Sequence, residues 1–201
     1  MDVIEAIYHR RSVRHYTNQP VSAAVVNQLF DAAVQAPSSL NQQPWAFAFL
    51  GGKERLLAYS KRAKEHFFFT TLPPFGAHER GESMSDPEFN IFYDAGAALV
   101  ICAVYGGLNP AEDCCLAAEN IMLAAHGLGL GTAPIGVARP WMNLPEVKEE
   151  LGIPPDCSVV MVLTVGYPST ITEAPARKPP DVFSWLAEAP PAEKLDGTLL
   201  S

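Results

Sequence analysis

Two long apolar runs constrain the fold of this chain more than any other feature. Residues 97–105 are apolar throughout, and residues 158–165 are largely so. Runs of this length are typical of buried strands, and the first is suited to the centre of a sheet. A third strand is predicted over residues 44–50, where a Gly-Gly pair ends it.

Helical periodicity separates these strands. Asp2 and Ser22 each precede apolar residues at helical spacing, so both are predicted N-caps. Pro37 ends the second helix, because the residue before a proline is displaced from the α region. The remaining helices are predicted over residues 53–66, over 114–126 after Asp113, and over 144–151. Helices and strands without a regular βαβ repeat indicate an α+β fold in three layers.

Two segments lack periodicity. Residues 67–90 contain several prolines and glycines, and so long an irregular stretch in a compact domain is typical of a lid over a site. The tail from Tyr167 onward holds six prolines: Pro168, Pro175, Pro179, Pro180, Pro190 and Pro191. A tail of this composition does not fold alone, so it is predicted to lie as an extended arm on another surface. The sequence therefore predicts a domain over residues 1–167 and an arm over 168–201.

Composition narrows the functional class. Apolar residues make up 48% of the chain and charged residues 18%, which indicates a globular protein. The formal net charge is −8, which disfavours binding to nucleic acid. The four cysteines and five histidines show no metal-type spacing, and no apolar run is long enough to cross a membrane. Because the N-terminus also lacks an apolar signal region, the predicted location is the reducing cytoplasm.

A cluster of three arginines stands out in this acidic chain. Arg10, Arg11 and Arg14 surround Ser12 where the first helix is predicted to end. Charge-assisted bonds from arginine hold phosphate groups well, so the cluster is a candidate phosphate site. Cations also favour the last turn of a helix for electrostatic reasons alone, and the residues by themselves leave both interpretations open.

The loop over residues 37–45 packs hydroxyl and amide side chains between two prolines. Such side chains suit hydrogen bonding to a heterocycle or a polyol, although ordinary turn chemistry explains them equally well. The glycines at 127, 129 and 131 follow a helix, which is the wrong context for a dinucleotide fingerprint, and Gly127 is the predicted C-cap. No Ser/His/Asp, Cys/His or paired-carboxylate arrangement stands out, so any chemistry is expected from a bound cofactor.

Taken together and in this order, these segments resemble the nitroreductase family of FMN flavoproteins. The matching segments are residues 10–14, residues 36–45, residues 127–136, Gly166-Tyr167-Pro168 and Arg177-Lys178-Pro179. They are spread over most of the chain. The resemblance implies a three-layer α/β/α fold with a mixed, largely antiparallel sheet and a C-terminal arm that wraps the partner subunit. It also implies a homodimer with two FMN sites at the interface.

The resemblance assigns site residues by analogy. Residues 10–14 and Arg177 hold the phosphate and the pyrimidine side of the flavin, residues 37–41 come from the partner subunit, and residues 134–136 lie by the ring. A backbone N–H of Ile135 or Gly136 lies near flavin N5, and no catalytic side chain is assigned. The full set is Arg10, Arg11 (through its backbone), Ser12, Arg14, Pro37, Ser38, Ser39, Asn41, Pro134, Ile135, Gly136 and Arg177.

The implied activity is a ping-pong hydride transfer. NADH or NADPH reduces FMN and leaves, and a nitroaromatic, quinone or related acceptor then takes the electrons. Three departures leave the acceptor open: no Glu precedes Gly136, Pro175 stands in place of the lysine of a Lys-x-Arg pair, and residues 67–90 align with no family motif. The alternatives are a flavin storage or sensor protein of the same fold, or a reductive dehalogenase or flavin-processing relative.

Overall fold

A computed structural model of the chain describes residues 1–71, 84, 86–104 and 106–186. Its centre is a four-stranded sheet of order β1-β2-β4-β3 in which all neighbouring strands are antiparallel. A parallel pairing occurs as an isolated bridge between Ser12 and Thr132. The strands are β1 (Trp45–Gly51), β2 (Ala97–Val104), β3 (Gly131–Pro134) and β4 (Cys157–Gly166).

Helices cover both faces of the sheet. On one face, α2 and α4 pack against Leu99 and Leu163, and on the other face α3, α5 and α6 pack against Val100 and Val162. Both faces of β2 are therefore buried, as its continuous apolar run predicts. This is the three-layer α+β architecture expected from the sequence. The helices are α1 (Val3–His9), α2 (Ala23–Ala33), α3 (Lys53–Thr71), α4 (Pro110–Gly127), α5 (Ala138–Met142) and α6 (Pro145–Leu151).

Several predicted helix ends were wrong. Helix α2 ends at Ala33, four residues before Pro37, and α3 continues through Thr71 instead of stopping at residue 66. The sequence holds no proline or glycine between Lys53 and Thr71, so nothing interrupts the helix there. The five residues 67–71 of the predicted irregular segment are therefore helical, and residues 72–83 and 85 lie outside the described part of the chain.

Capping was predicted with mixed success. The Ser22 hydroxyl accepts a hydrogen bond from the Val25 N–H at 3.3 Å, which confirms that cap, whereas Asp2 makes no side-chain cap bond. Helix α4 begins at Pro110, three residues before Asp113. Its C-cap is Leu128 and not Gly127, and the left-handed residue beyond it is Gly129 at φ 75°.

The C-terminal segment leaves the sheet after Gly166. Pro168 forms an isolated bridge with Tyr16, and residues 169–186 have no regular secondary structure. Large apolar side chains of this segment, among them Ile171, Phe183 and Leu186, are almost fully exposed. Within the part of the chain that the structure describes, no helix is long and apolar enough to cross a membrane.

Candidate functional site

The arginine cluster lies on a short extended segment, residues 10–16, that runs along the edge of the sheet. The Val13 N–H donates to the Thr132 carbonyl of β3 at 2.9 Å. This approach requires glycine, because a Cβ at Gly131 would lie 2.5 Å from the Val13 Cβ. At Gly166 a Cβ would lie 2.9 Å from the Tyr16 ring. The glycine-rich sequence therefore holds the arginine segment against the sheet by close packing.

A hydroxyl network fixes the same segment from below. The Tyr16 hydroxyl donates to the Val13 carbonyl at 2.6 Å and lies 2.7 Å from the Thr164 hydroxyl oxygen. That oxygen also accepts from the Ala133 N–H at 3.1 Å. Burial raises the pKa of Tyr16 far above its ordinary value, so the phenol stays protonated and its hydrogen bonds persist at physiological pH.

One cleft of about 210 Å³, which we call the basic cleft, opens between the end of α1 and helix α4. The Arg11 guanidinium donates to the carbonyls of Tyr8 and Arg10, and the Arg10 Nε lies 3.4 Å from a Glu119 carboxylate oxygen. These contacts keep both guanidinium groups near the cleft. Its lining residues are His9, Arg10, Arg11, Val13, Met122, His126, Leu130, Thr132, Pro168, Thr170, Ile171 and Thr172.

The basic cleft carries excess positive charge. Burial lowers the pKa of His126, and the nearby cations His9, Arg10 and Arg11 lower it further, while Glu5 opposes them. A site in which neighbouring cations already disfavour another positive charge has the electrostatics of an anion site. The arrangement can therefore hold a phosphate or a similar anion.

A second cleft of about 330 Å³, the aromatic cleft, opens on the other side of the arginine segment. The Arg14 guanidinium carbon lies 5.5 Å from the centre of the Tyr93 ring. Asn90 is 7% exposed; its side chain accepts from the Phe92 N–H at 3.0 Å and donates to the Asp94 carboxylate at 2.9 Å. The lining residues are Arg14, His15, Tyr16, Glu88, Phe89, Asn90, Tyr93, Asp94 and Ser169.

Helix α3 anchors the wall of the aromatic cleft. Lys64, only 6% exposed, donates to the carbonyls of Asp86, Pro87 and Phe89 at 2.9, 3.1 and 2.6 Å. One turn earlier, the Ser60 hydroxyl accepts from the Ile91 N–H at 3.0 Å. A buried ammonium group is tolerated here because its three protons are all directed to carbonyl oxygens. Residues 86–91 are thereby held beside Arg14.

The polar loop over residues 37–43 folds mainly by turn chemistry. The Ser38 hydroxyl accepts from the Gln43 N–H at 2.9 Å, and the Asn41 side-chain oxygen accepts from the Gln43 amide at 3.1 Å. The Ser39 N–H lies 3.2 Å from both carboxylate oxygens of Asp113, which is 3% exposed. Leu40, Asn41 and Gln43 have left-handed backbone at φ 51°, 55° and 50°. The loop is shaped by its own side chains and by Asp113.

This loop and the arginine segment do not meet within one chain. The loop precedes β1 at the end of the sheet where Trp45 pairs with Ala103. The arginine segment lies at the opposite end, because Thr132 pairs with Val165 and Val165 pairs with Ala97. Strands β1 and β3 are also opposite edges of the sheet. Six residues of strand and three strand spacings separate Trp45 from Thr132, a distance of roughly 25 Å. The predicted site residues thus fall into two separate groups.

The remaining predicted residues lie near the end of β3 and in the tail. The Ile135 N–H donates to the Val162 carbonyl at 2.8 Å, so it is already paired. Gly136 is exposed, with open space where a Cβ would stand. Among the described residues its N–H has no hydrogen-bond acceptor, so it is free to donate to a ligand. Arg177 lies in the exposed C-terminal segment and lines neither cleft.

The polar and aromatic residues that line the clefts and that sequence reasoning missed include Asn90, Tyr93, His126 and Thr132. Asn90 and Tyr93 have one feature that local sequence could indicate, which is their position a few residues before the apolar run of β2. They lie in a turn in which Tyr93 has a left-handed backbone at φ 53°. His126 and Thr132 carry none that a spacing rule detects, since both fall in otherwise apolar segments.

Comparison with known proteins agrees with this geometry. An NADH dehydrogenase/NAD(P)H nitroreductase of Archaeoglobus fulgidus is 33% identical over 172 residues, which span 83% of this chain and 86% of that protein. The Bacillus subtilis FMN reductase [NAD(P)H] is 30% identical over 186 residues, 89% of this chain and 69% of that protein. A Bacteroides fragilis nitroreductase with bound FMN superposes with a TM-score of 0.77 at 25% identity, covering 94% of this chain and all of that one.

The family profile named nitroreductase matches residues 7–167, which include the arginine segment, the polar loop, the whole sheet and most residues that line the two clefts. The match therefore spans the segments that suggested the resemblance except Pro168 and Arg177-Lys178-Pro179. This chain belongs to the nitroreductase family.

Proposed function

We propose that the chain is an FMN-dependent NAD(P)H oxidoreductase that reduces nitroaromatic, quinone or related acceptors. The observation that carries the proposal is the pair of clefts on either side of the arginine segment, one basic and one lined by aromatic and amide groups. Relatives named NAD(P)H nitroreductase and FMN reductase, and neighbouring structures that contain FMN, support it.

The donor set fits the phosphate end of FMN. The basic cleft presents Arg10 and Arg11 beside Thr132 Oγ1, a buried hydroxyl oxygen without a hydrogen-bond partner among the described residues. Ser12 lies next to Thr132 through their backbone bridge. In the proposal, Arg10, Ser12 and the backbone of Arg11 hold the phosphate, and Arg177 reaches it from the tail.

The flavin ring belongs on the other side of the segment. In the proposal, Arg14 leaves its stack on Tyr93 to meet the pyrimidine edge, where a cation stabilises negative charge on the reduced ring. Asn90 lines the same cleft and offers an amide to that edge. Pro134 and Ile135 set the turn that presents the Gly136 N–H, the donor proposed for flavin N5.

Bound FMN supplies two-electron hydride chemistry, accepting from NADH or NADPH and passing electrons to the second substrate in ping-pong order. The protein's part is to bind, orient and electrostatically bias the ring. The chain's residues then explain why no side-chain acid is needed: the Arg14 guanidinium and the Gly136 N–H would donate to the ring instead.

The two-group geometry supports a homodimer. Because the polar loop and the arginine segment lie at opposite edges and opposite ends of the sheet of one chain, Pro37, Ser38, Ser39 and Asn41 would complete a site on a second copy. We propose that residues 1–167 form the FMN-binding domain and that residues 168–201 wrap the partner. The exposed apolar side chains of this C-terminal segment, such as Phe183, support its role as an arm, because contact with a partner would bury them. The lid over residues 67–90 and the cytoplasmic location stay predictions from the sequence.

Flavin content and turnover test the proposal together. The purified protein should be yellow and should oxidise NADH or NADPH faster when a quinone or nitrofuran is added. Arg10→Ala should lower flavin content strongly, whereas Arg55→Ala, an exposed arginine on α3, should leave it unchanged. Flavin that is bound but not reduced by either nucleotide would favour the storage or sensor alternative. A colourless protein that ignores added FMN would reject the proposal.

A further inference from the structure

Two polar atoms in the basic cleft lack the partners that buried polar atoms normally have. Among the residues that the structure describes, His126 Nε2 and Thr132 Oγ1 are the buried side-chain nitrogen and oxygen atoms without a hydrogen bond. Their residues come from different elements, the last turn of α4 and strand β3, yet both line the same cleft. Buried polar groups are nearly always paired, so two unpaired polar atoms at one cleft indicate that the cleft binds a polar ligand.

The charges around the cleft define the chemistry of that occupant. His9, Arg10 and Arg11 approach from α1 and the segment after it, and Glu119 on α4 pairs with Arg10. Two guanidinium groups, those of Arg10 and Arg11, line the cleft, and no acidic side chain is among its described lining residues, so the cleft favours an anion over a neutral molecule. A threonine hydroxyl and an imidazole N–H are both donors, and an anion with several acceptor oxygens satisfies both at once.

We infer that His126 and Thr132 are direct ligands of the phosphate group of the cofactor, in addition to Arg10, Ser12 and Arg177. This inference rests on the proposed function. A phosphate monoester offers three terminal oxygens, each able to accept more than one bond, so two more donors are not in excess. Thr132 is 1% exposed and forms the bridge with Ser12, which places its hydroxyl at the floor of the cleft beside a proposed phosphate ligand.

Paired variants separate a direct contact from a structural role. Thr132→Val keeps the β-branched shape and removes the hydroxyl, while Thr132→Ser keeps the hydroxyl. His126→Gln places an amide near the position of Nε2, while His126→Asn places it near Nδ1. Each variant is assayed for the dissociation constants of FMN and of riboflavin, which lacks the phosphate, and for competition by inorganic phosphate. Melting temperature and secondary structure are checked alongside.

We expect Thr132→Val and His126→Asn each to weaken FMN about tenfold, the effect of one lost charge-assisted bond, and to leave riboflavin unchanged. Thr132→Ser and His126→Gln should retain most of the FMN affinity. His9→Gln, a change at the rim of the same cleft, should have a smaller effect because His9 is exposed and bonded to the Glu5 carbonyl.

Three results would overturn the inference. Equal weakening of FMN and riboflavin would show a general loss of fold. An equal effect of His9→Gln would show that the loss of FMN affinity is not specific to the two buried donors. Unchanged FMN affinity in both loss variants would show that water fills the cleft instead. Wild-type protein that binds neither FMN nor inorganic phosphate would instead reject the proposed function itself, so the two failures are distinguishable.

Discussion

The arginine segment and the polar loop are both proposed to bind one flavin, yet they are built in opposite ways. Residues 10–16 are extended and held from several sides, by the backbone of Thr132, by the Tyr16–Thr164 hydroxyls and by two glycines that permit close packing. Residues 37–43 are largely exposed, and their left-handed backbone is held by their own side chains and by Asp113.

The difference indicates what each group does before a partner arrives. The arginine segment is preorganised within one chain, so it can bind the anionic end of a ligand without further ordering. The loop lies away from the arginine segment of its own chain, and its exposed face includes Leu40, an apolar side chain that is 82% exposed. The arginine segment is therefore a preorganised half of the proposed site, and the polar loop is an exposed surface proposed to contact a second copy.

Mixed dimers test most directly whether the arginine segment of one chain and the polar loop of the other form one site. One chain carries Arg10→Ala and the other carries Ser39→Ala with Asn41→Ala, each with its own affinity tag. If every site joins the segment of one chain to the loop of the other, the mixed dimer has one intact site and one site with both defects. It should hold about half the wild-type flavin, whereas both parent homodimers should hold little.

A mixed dimer that holds as little flavin as the parent homodimers would contradict a site shared between two chains. Were both groups to serve a site within one chain, each site of the mixed dimer would carry a defect and the flavin content would match that of the parents. Absorbance of the doubly purified mixed dimer measures the content directly. A mixture of Arg10→Ala with wild-type chain is the matched control, and it too should hold about half.

Gly131→Ala tests the preorganised half-site. The new Cβ would overlap the Val13 side chain at 2.5 Å, and both residues belong to backbone-bonded segments that cannot move apart freely. We expect a loss of about 2–3 kcal/mol in the free energy of unfolding and weaker FMN binding. Thermal and denaturant unfolding measure the first, and flavin titration measures the second.

Gly127→Ala is the control for that substitution. Gly127 is the last residue of α4, has no atom within 4 Å of a built Cβ and has no positive φ, so alanine should stabilise the helix by about 0.5–1 kcal/mol. Opposite signs for two glycines four residues apart would separate close packing from helix propensity. Equal effects would mean that Gly131 does not hold the arginine segment.

Asp113→Ala tests the loop by the contact that holds it. Removing the carboxylate leaves the Ser39 N–H without its acceptor, which should lower the free energy of unfolding by about 2 kcal/mol. FMN affinity should fall as well, because the loop loses its anchor to α4. Asp113→Asn keeps one acceptor oxygen and should show a smaller loss of both. Undisturbed flavin binding in Asp113→Ala would show that the anchor is not needed for the site.

The centre of the fold was predictable from local pattern. Strands β2 and β4 were located to within one residue at most ends, because side chains on both of their faces are buried and the sequence is apolar without interruption. Helix ends were harder, since they depend on tertiary partners. Asp113 looks like an N-cap in sequence, but its carboxylate bonds the Ser39 N–H, and the helix begins at Pro110 instead.

The site was predictable in part, for a related reason. Three arginines within five residues stand out in an acidic chain, and the resemblance to the family identified the polar loop as part of the site. The role of Gly131 was not predictable, because it depends on the approach of Val13 from a distant part of the chain. The sequence did not identify His126, Thr132 and Asn90 as site residues for the same reason. The residues next to each of them show no motif, and only the fold brings each side chain to a cleft.

Leu40→Asn gives the smallest effect and the finest distinction. Asparagine tolerates the left-handed backbone at φ 51° better than leucine does, so the stability of the isolated chain should rise by up to about 1 kcal/mol. If the Leu40 side chain is retained for the partner, the same change should weaken dimerisation, measured by sedimentation. Leu40→Met, which keeps the apolar contact without easing the backbone, should alter neither quantity. A more stable chain that still dimerises normally would place the loop outside the interface, and the second half of the site would then need another source.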